Sequence, residues 1–191
     1  LTLRETANLL QDGITPKEKP IKDVQETQAH KKVFYNMLAH KNNLNQETTL
    51  KWHKQLFETT KPEIAGKIRD HQVSIAGSKT ELPQPAALNI LLKNFYKWYN
   101  TNKNKLHPIE LAAATHLKFV TIHPFTDGNG RISRLLMNFV LQEKDYPMLN
   151  ITYKNRNNYY TALERSQLKN QDNIFLTYII KRYIKEYKNY L

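Results

Sequence analysis

His123-Pro124-Phe125-Thr126-Asp127-Gly128-Asn129-Gly130-Arg131-Ile132-Ser133-Arg134 reads as a helix end, a glycine turn and a helix start within twelve residues. Pro124 disfavours helical geometry at the residue before it, so His123 ends the preceding helix. The chain has 5 glycines in 191 residues, and two of them fall here with only Asn129 between them. In a chain so poor in glycine, that placement points to a backbone conformation other residues do not adopt. Phe125 reads as an apolar anchor that pins the loop to the core.

The chemistry of the stretch follows from its residue types. His123 is a candidate base, because an unperturbed imidazole titrates near neutral pH. Its place at a helix C-terminus works against that role, since the dipole there favours imidazolium. Asp127 is a hard oxygen ligand suited to Mg2+, which takes one or two protein carboxylates and fills its other positions with water and phosphate oxygens. Gly128, Asn129 and Gly130 can turn successive N–H groups toward one point, an anion nest. The helix that follows adds its dipole and unpaired donors. Arg131 and Arg134 lie three apart, share a helix face and can grip outer phosphates. Each part alone has an ordinary reading: a structural histidine, a turn, an N-cap at Asn129, a solvated pair of arginines. Together, in this order, they converge on one phosphate-sized point.

Outward from the stretch, hydrophobic periodicity predicts helices on both sides. The preceding helix covers 109–122, with Pro108 suited to its first turn. Ala112, Ala113, Leu117 and Val120 are its buried side, and the small residues suggest a central helix packed on several sides. His116 within it reads as a core histidine. The following helix covers 132 to about 143, where Ile132, Leu135, Leu136, Phe139 and Val140 form a 3.6-residue stripe. Arg131, Arg134 and Asn138 fall on another side, the arrangement of a phosphate-facing helix. Further helices are expected over 1–11 (Thr2 as cap, Glu5 three later), from Asp23 to about 40, and over 48–57. Others are expected over 86–99, from Asn155, and from 173 to about 188. Trp52 and His53 read as packing residues. Residues 71–80 carry a strand or hairpin signal, with Val73 and Ile75 alternating with polar neighbours and Gly77 following. The fold class is all-α: seven or eight helices and one short β-hairpin, in a single domain over 1–191.

Composition bounds the function classes. The apolar fraction is 40% and the charged fraction 24%, compatible with a globular protein. The absence of cysteine excludes disulfides, thiolate metal sites and a cysteine nucleophile, and fits a cytoplasmic protein. No apolar run approaches a membrane span, and the chain shows no signal-peptide core. The formal charge of +12 favours anionic partners, but the lysines are spread along the chain as on a solvated surface.

The stretch 123–134 resembles the Fic motif, His-x-Phe-x-(Asp/Glu)-Gly-Asn-Gly-(Lys/Arg)-x-x-Arg, at every fixed position. The similarity extends over residues 2–10, Lys19-Pro20-Ile21-Lys22-Asp23-Val24, the 71–80 segment and the helices flanking the motif. It is strongest to the subgroup with an N-terminal inhibitory helix. The resemblance implies the Fic fold and an enzyme that moves AMP from ATP onto a Ser, Thr or Tyr hydroxyl of a target protein, with automodification as an accompanying reaction. It implies that His123 is the general base and that Asp127 holds Mg2+ on the α and β phosphates. The Gly128–Gly130 backbone and Asn129 would cradle the phosphates, and Arg131 and Arg134 would take the β/γ end. Tyr160 would line the nucleoside pocket; Gln167 stands where relatives often carry Asn. The 71–80 segment would be a flap, with Val73, Ser74, Ile75, Ala76 and Gly77 taking an extended target segment by strand addition.

Members of the subgroup carry a motif Ser/Thr-x-x-x-Glu-Gly/Asn just upstream of the position of Thr2, and its Glu pairs with the second motif arginine, here Arg134. The chain begins past that position: either the segment with the Glu lies outside this sequence or the protein lacks it, and where the Glu is absent the expectation is AMP transfer without inhibition in cis and without de-AMPylation. The subgroup often dimerises, although no patch in the sequence marks a homodimer interface. Other readings stay open: transfer of phosphocholine, UMP or phosphate by the same site, or a basic helical nucleic-acid-binding module. Against the latter stands the lack of a recognition-helix pattern. Against a degenerate, binding-only scaffold stands the complete motif.

Overall fold

Helix punctuation in the sequence sets the architecture. The structure, a computed structural model, describes residues 1–16, 19–152 and 156–188. Among them are eight α-helices and one 3-10 turn. None is long and apolar enough to cross a membrane.

The chain divides into two compact units, Leu1–Lys67 and Ile68–Leu191. In the first, α1 (Leu3–Asp12) opens on a capping box: the Glu5 N–H donates to Thr2 Oγ1 and the Thr2 N–H to the Glu5 carboxylate. It closes on Gly13 at φ 71°. Helix α2 (Ile21–Leu38) starts before the expected cap, at Pro20, and Asp23 lies inside its first turn. Proline's fixed φ and missing donor make it a ready helix opener. Helix α3 (Gln46–Phe57) is capped by Asn45, whose side chain accepts from the Thr48 N–H. Helix α2 packs on both α1 and α3. Val33, Met37, Trp52, Leu56 and Phe57 are buried. His53 is buried too, and its Nδ1 accepts from the Gly66 N–H at 3.0 Å.

In the second unit a 3-10 turn (Pro85–Ala87) leads into α4 (Leu88–Asn102). Helices α5 (Pro108–Ile122), α6 (Asn129–Glu143), α7 (Arg156–Lys169) and α8 (Asp172–Glu186) follow. The expected helix start at Asn155 lies outside the described residues. Helix α5 is central, packed on α4, α6 and α8. All but four of its fifteen residues are buried, as its small residues implied. Aromatic rings carry this core outward: Phe95 meets Phe119 edge-on at 5.6 Å, and Phe119 lies 6.0 Å from Phe125. Burying a phenylalanine is worth about 1.5–3 kcal/mol, so Phe125, 1% exposed, anchors the motif loop to α5.

One expectation is corrected. Residues 72–75 form no β-ladder with any described segment. The 71–80 segment turns at Ala76–Gly77, with the Ser78 N–H donating to the Ile75 carbonyl at 3.0 Å and Gly77 at φ 77°. The alternation of Val73 and Ile75 has the period of a strand, but a strand exists only where a partner supplies the other half of the ladder. Here side chains gather the flap's two ends instead. The Gln72 Nε2 amide donates across it to the Leu82 carbonyl at 3.0 Å.

Candidate functional site

A cavity of about 650 Å³ opens in the second unit, within the range of about 300–1,000 Å³ usual for small-molecule sites. Its wall draws on the flap, the end of α5, the motif loop, the first turn of α6 and one face of α7. His123 closes α5 with φ 51° and ψ 57°, left-handed. The following proline disfavours right-handed helix there, and a non-glycine residue in this region costs roughly 1–2 kcal/mol. The imidazole Nδ1 lies 3.2 Å from the Val120 carbonyl. A carbonyl only accepts, so the proton sits on Nδ1 and Nε2 keeps the lone pair a base needs. Burial pushes the His123 pKa down, the bond to Val120 opposes this, and the nearby Arg69 cation pushes it down again. The net shift is downward, so the imidazole is neutral in neutral solution.

The two motif glycines are needed for different reasons. Gly128 caps α6 at φ 82°, a conformation that favours glycine. Gly130 has ordinary helical geometry, but a Cβ there would stand 3.3 Å from Nη1 of Arg134. Its bareness lets that guanidinium fold back over the first turn. Helix α6 begins at Asn129, three residues earlier than the hydrophobic stripe suggested. The main-chain N–H groups of Asn129 and Gly130 therefore belong to its first turn, where no intrahelical acceptor exists. They are the donors an anion would meet at this end of the helix.

The Asn129 side chain is committed elsewhere. It is 2% exposed. Its Oδ1 accepts from the Phe125 N–H at 2.9 Å and its Nδ2 donates to the Phe125 carbonyl at 2.7 Å. The side chain locks the loop, and only its backbone remains to face a phosphate. Asn129→Ala strands two buried main-chain groups at about 1–3 kcal/mol each. Urea unfolding should read that loss of stability; a change within about 0.5 kcal/mol, the scale of an ordinary surface substitution, would refute the lock. Asn138 is likewise spent away from the cavity, pairing both ways with the Leu149 main chain.

Arg134 lies on the cavity wall, its positive charge near the Tyr159 hydroxyl. The Tyr159 hydroxyl is in turn 2.8 Å from His116 Nε2. His116 is fully buried, stacked on Phe175 with ring centroids 5.0 Å apart. Burial pushes its pKa down to about 3, so it supports Arg134 from behind as a neutral group. Arg131 is not among the lining residues. Its Nη2 lies 3.6 Å from Asp127 Oδ1 one turn away. That same Oδ1 accepts from the Gly128 N–H at 2.5 Å, and Asp127 lines the cavity with its side chain 43% exposed. Among the described residues no group of three or more His, Cys, Asp or Glu could hold a metal. A lone carboxylate beside a helix N-terminus fits a cation that arrives with phosphate oxygens rather than one held in a protein cage.

Of the flap residues, Ser74, Ile75, Ala76 and Gly77 line the cavity, together with Ser78, and Val73 does not. Tyr160 lines it at 56% exposure, edge-on to Tyr159. Two contributors escaped the sequence reading. Glu164 accepts from Ser78 Oγ at 3.0 Å and from the Lys79 N–H at 2.8 Å, clasping the flap to α7. Its only local signal is a place one turn after Tyr160. Arg69 is the other; its stretch of sequence is irregular, and nothing local marks it as buried.

Comparison with known proteins agrees with this geometry. The family model described as the Fic/DOC family matches residues 43–141. The protein adenylyltransferase Fic of Drosophila yakuba is 34% identical over 168 residues, 86% of this chain and 34% of that protein. The Aedes aegypti protein of the same name is 34% identical over 169 residues, with the same coverage. The chain thus spans about a third of the length of these relatives. A crystal structure of a Fic-domain-containing signalling protein from Bacteroides thetaiotaomicron superposes with a TM-score of 0.87 at 27% identity, over 97% of this chain and 77% of that one. Fic-1 from C. elegans superposes with a TM-score of 0.83 at 28% identity, over all of this chain and 60% of that one. With the motif whole, its loop built on one cavity and a family model covering more than half of the residues, the chain belongs to the Fic/DOC family.

Proposed function

We propose that this chain transfers AMP from ATP to a hydroxyl side chain of a target protein. The observation that carries the reading is the convergence of His123, Asp127, Arg134 and the first turn of α6 on one cavity. The relatives' name, protein adenylyltransferase, supports it.

The reaction needs positioning and charge neutralisation more than covalent help. His123 Nε2 takes the proton of a Ser, Thr or Tyr hydroxyl. The hydroxyl oxygen bonds to the ATP α-phosphorus as the bond from that phosphorus to the bridging oxygen breaks, and pyrophosphate leaves. The α6 N–H groups and Arg134 neutralise charge on the departing phosphates, and Arg131 holds the Asp127 carboxylate in place. Asp127 would hold Mg2+, which would supply further counter-charge to the phosphates. Tyr160 lies against the nucleoside. The target segment lies extended along the flap, whose backbone forms no ladder of its own and offers edges to an added strand.

Incubation with α-labelled ATP and Mg2+, followed by mass spectrometry, tests the reading. Expected is label retained on the protein as AMP, with none retained from γ-labelled ATP. Retention of γ-label, or a different adduct, would assign another phosphate-linked transfer and overturn it.

A further inference from the structure

Arg69 takes no part in the chemistry above, yet it is 4% exposed. Arginine is rarely buried without a carboxylate partner. Here the guanidinium is solvated by neutral oxygens. Its Nε donates to the His123 carbonyl at 2.8 Å and its Nη2 to the Pro83 carbonyl at 2.6 Å. Nη1 donates to the His71 carbonyl at 3.0 Å and to Gln72 Oε1 at 3.4 Å. Its own N–H donates to the Pro124 carbonyl at 2.9 Å.

These acceptors come from three places: the incoming foot of the flap, the outgoing foot, and the first two residues of the motif. We propose that Arg69 is a positioning residue that holds the flap and the left-handed His123 backbone in a single frame, fixing the target-binding edge relative to the base. The proposal rests on the function proposed above. A left-handed non-glycine residue persists only where its surroundings over-determine it, and Arg69 grips the carbonyls of both His123 and Pro124. A flap with no ladder has no hydrogen-bond register of its own, and the rigid fork of donors supplies one. Lysine offers a point charge and no fork, so the role is specific to the guanidinium.

Two variants of the full chain test this. Arg69→Lys keeps the charge and loses the fork; Arg69→Met loses both at similar length. The first readout needs no activity: trypsin cleavage after Lys79, in the flap, should quicken in both variants. The second is an NMR titration of the His123 imidazole. Its midpoint should rise in Arg69→Met, where the neighbouring cation is gone, and stay closer to the parent's in Arg69→Lys. The other charged groups lining the cavity, Asp127, Arg134 and Glu164, are the same in both. The third is automodification with α-labelled ATP at saturating nucleotide. Each variant should lose about 10²-fold in rate, the scale of a roughly 1 Å misplacement, with the KM for ATP little changed.

If the parent chain transfers no AMP, the functional reading fails and the first two readouts judge Arg69 alone. If Arg69→Met does not fold, cleavage and rate in Arg69→Lys decide. Parent-like cleavage and rate in Arg69→Lys overturn the proposal. So does a rate loss matched by an equal rise in the KM for ATP.

Discussion

On the proposed function, His123→Ala should lower the rate of AMP transfer by about 10²–10⁴-fold, the usual contribution of a general base, while ATP still binds. The groups proposed to face the phosphates lie on α6, and none of them depends on the imidazole. The ring is set up to accept a proton at one atom, because the Val120 carbonyl holds Nδ1 at 3.2 Å and Nε2 is left as the acceptor. The pH profile of the parent chain carries the same argument. Burial and the Arg69 cation push the His123 pKa below the ordinary histidine value. A lowered pKa means the neutral, competent form survives to lower pH. The rate should therefore stay level through neutrality and fall only as the pH drops below about 6.5, the unperturbed value. Transfer assays across pH, with calorimetry of ATP binding to the variant, check both statements. Parent-like transfer by His123→Ala removes the base assignment, and an acidic limb above the ordinary histidine value removes the account of its environment.

Arg134→Ala should lower transfer by about 10²–10³-fold, the scale of losing one preorganised donor to developing charge, and raise the KM for ATP. The guanidinium is on the cavity wall, allowed over the first turn of α6 by the bare Gly130 and set near the Tyr159 hydroxyl. Arg131→Ala is the matched control. It removes the same charge from the same helix, but that side chain pairs with Asp127 and does not line the cavity. Its effect should be several-fold smaller and should act through Asp127, as a weaker response to Mg2+ concentration. Steady-state kinetics at varied ATP and Mg2+ separate the two. Equal losses in both variants would show that position on the wall does not decide which arginine matters.

Much of the helical framework was legible because its signals are local. The Thr2–Glu5 capping box, Pro108 at the start of α5 and the pre-proline stop at His123 each act over a few residues. The start of α6 was placed too late because apolar periodicity begins at Ile132, whereas glycine and asparagine at 128–130 carry no stripe although the backbone there is already turning into helix. The flap was read as a hairpin because alternation reports two faces and says nothing about a partner strand. Asn129 shows the limit for side chains. Its type fits an N-cap, a phosphate contact or a loop lock equally well, and burial against Phe125 chose the last.

Residue order alone was enough for the family and for most of the helical framework, and it offered a set of groups suited to a phosphate, because caps, glycines and the spacing of the motif work through bonds and contacts a few residues long. Folding in three dimensions selected which of those groups share a cavity, lowered the His123 pKa by burying it, and brought Arg69 and Glu164 onto the flap. Desolvation and hydrogen bonds between segments tens of residues apart depend on where the folded chain puts them, and no local pattern encodes that.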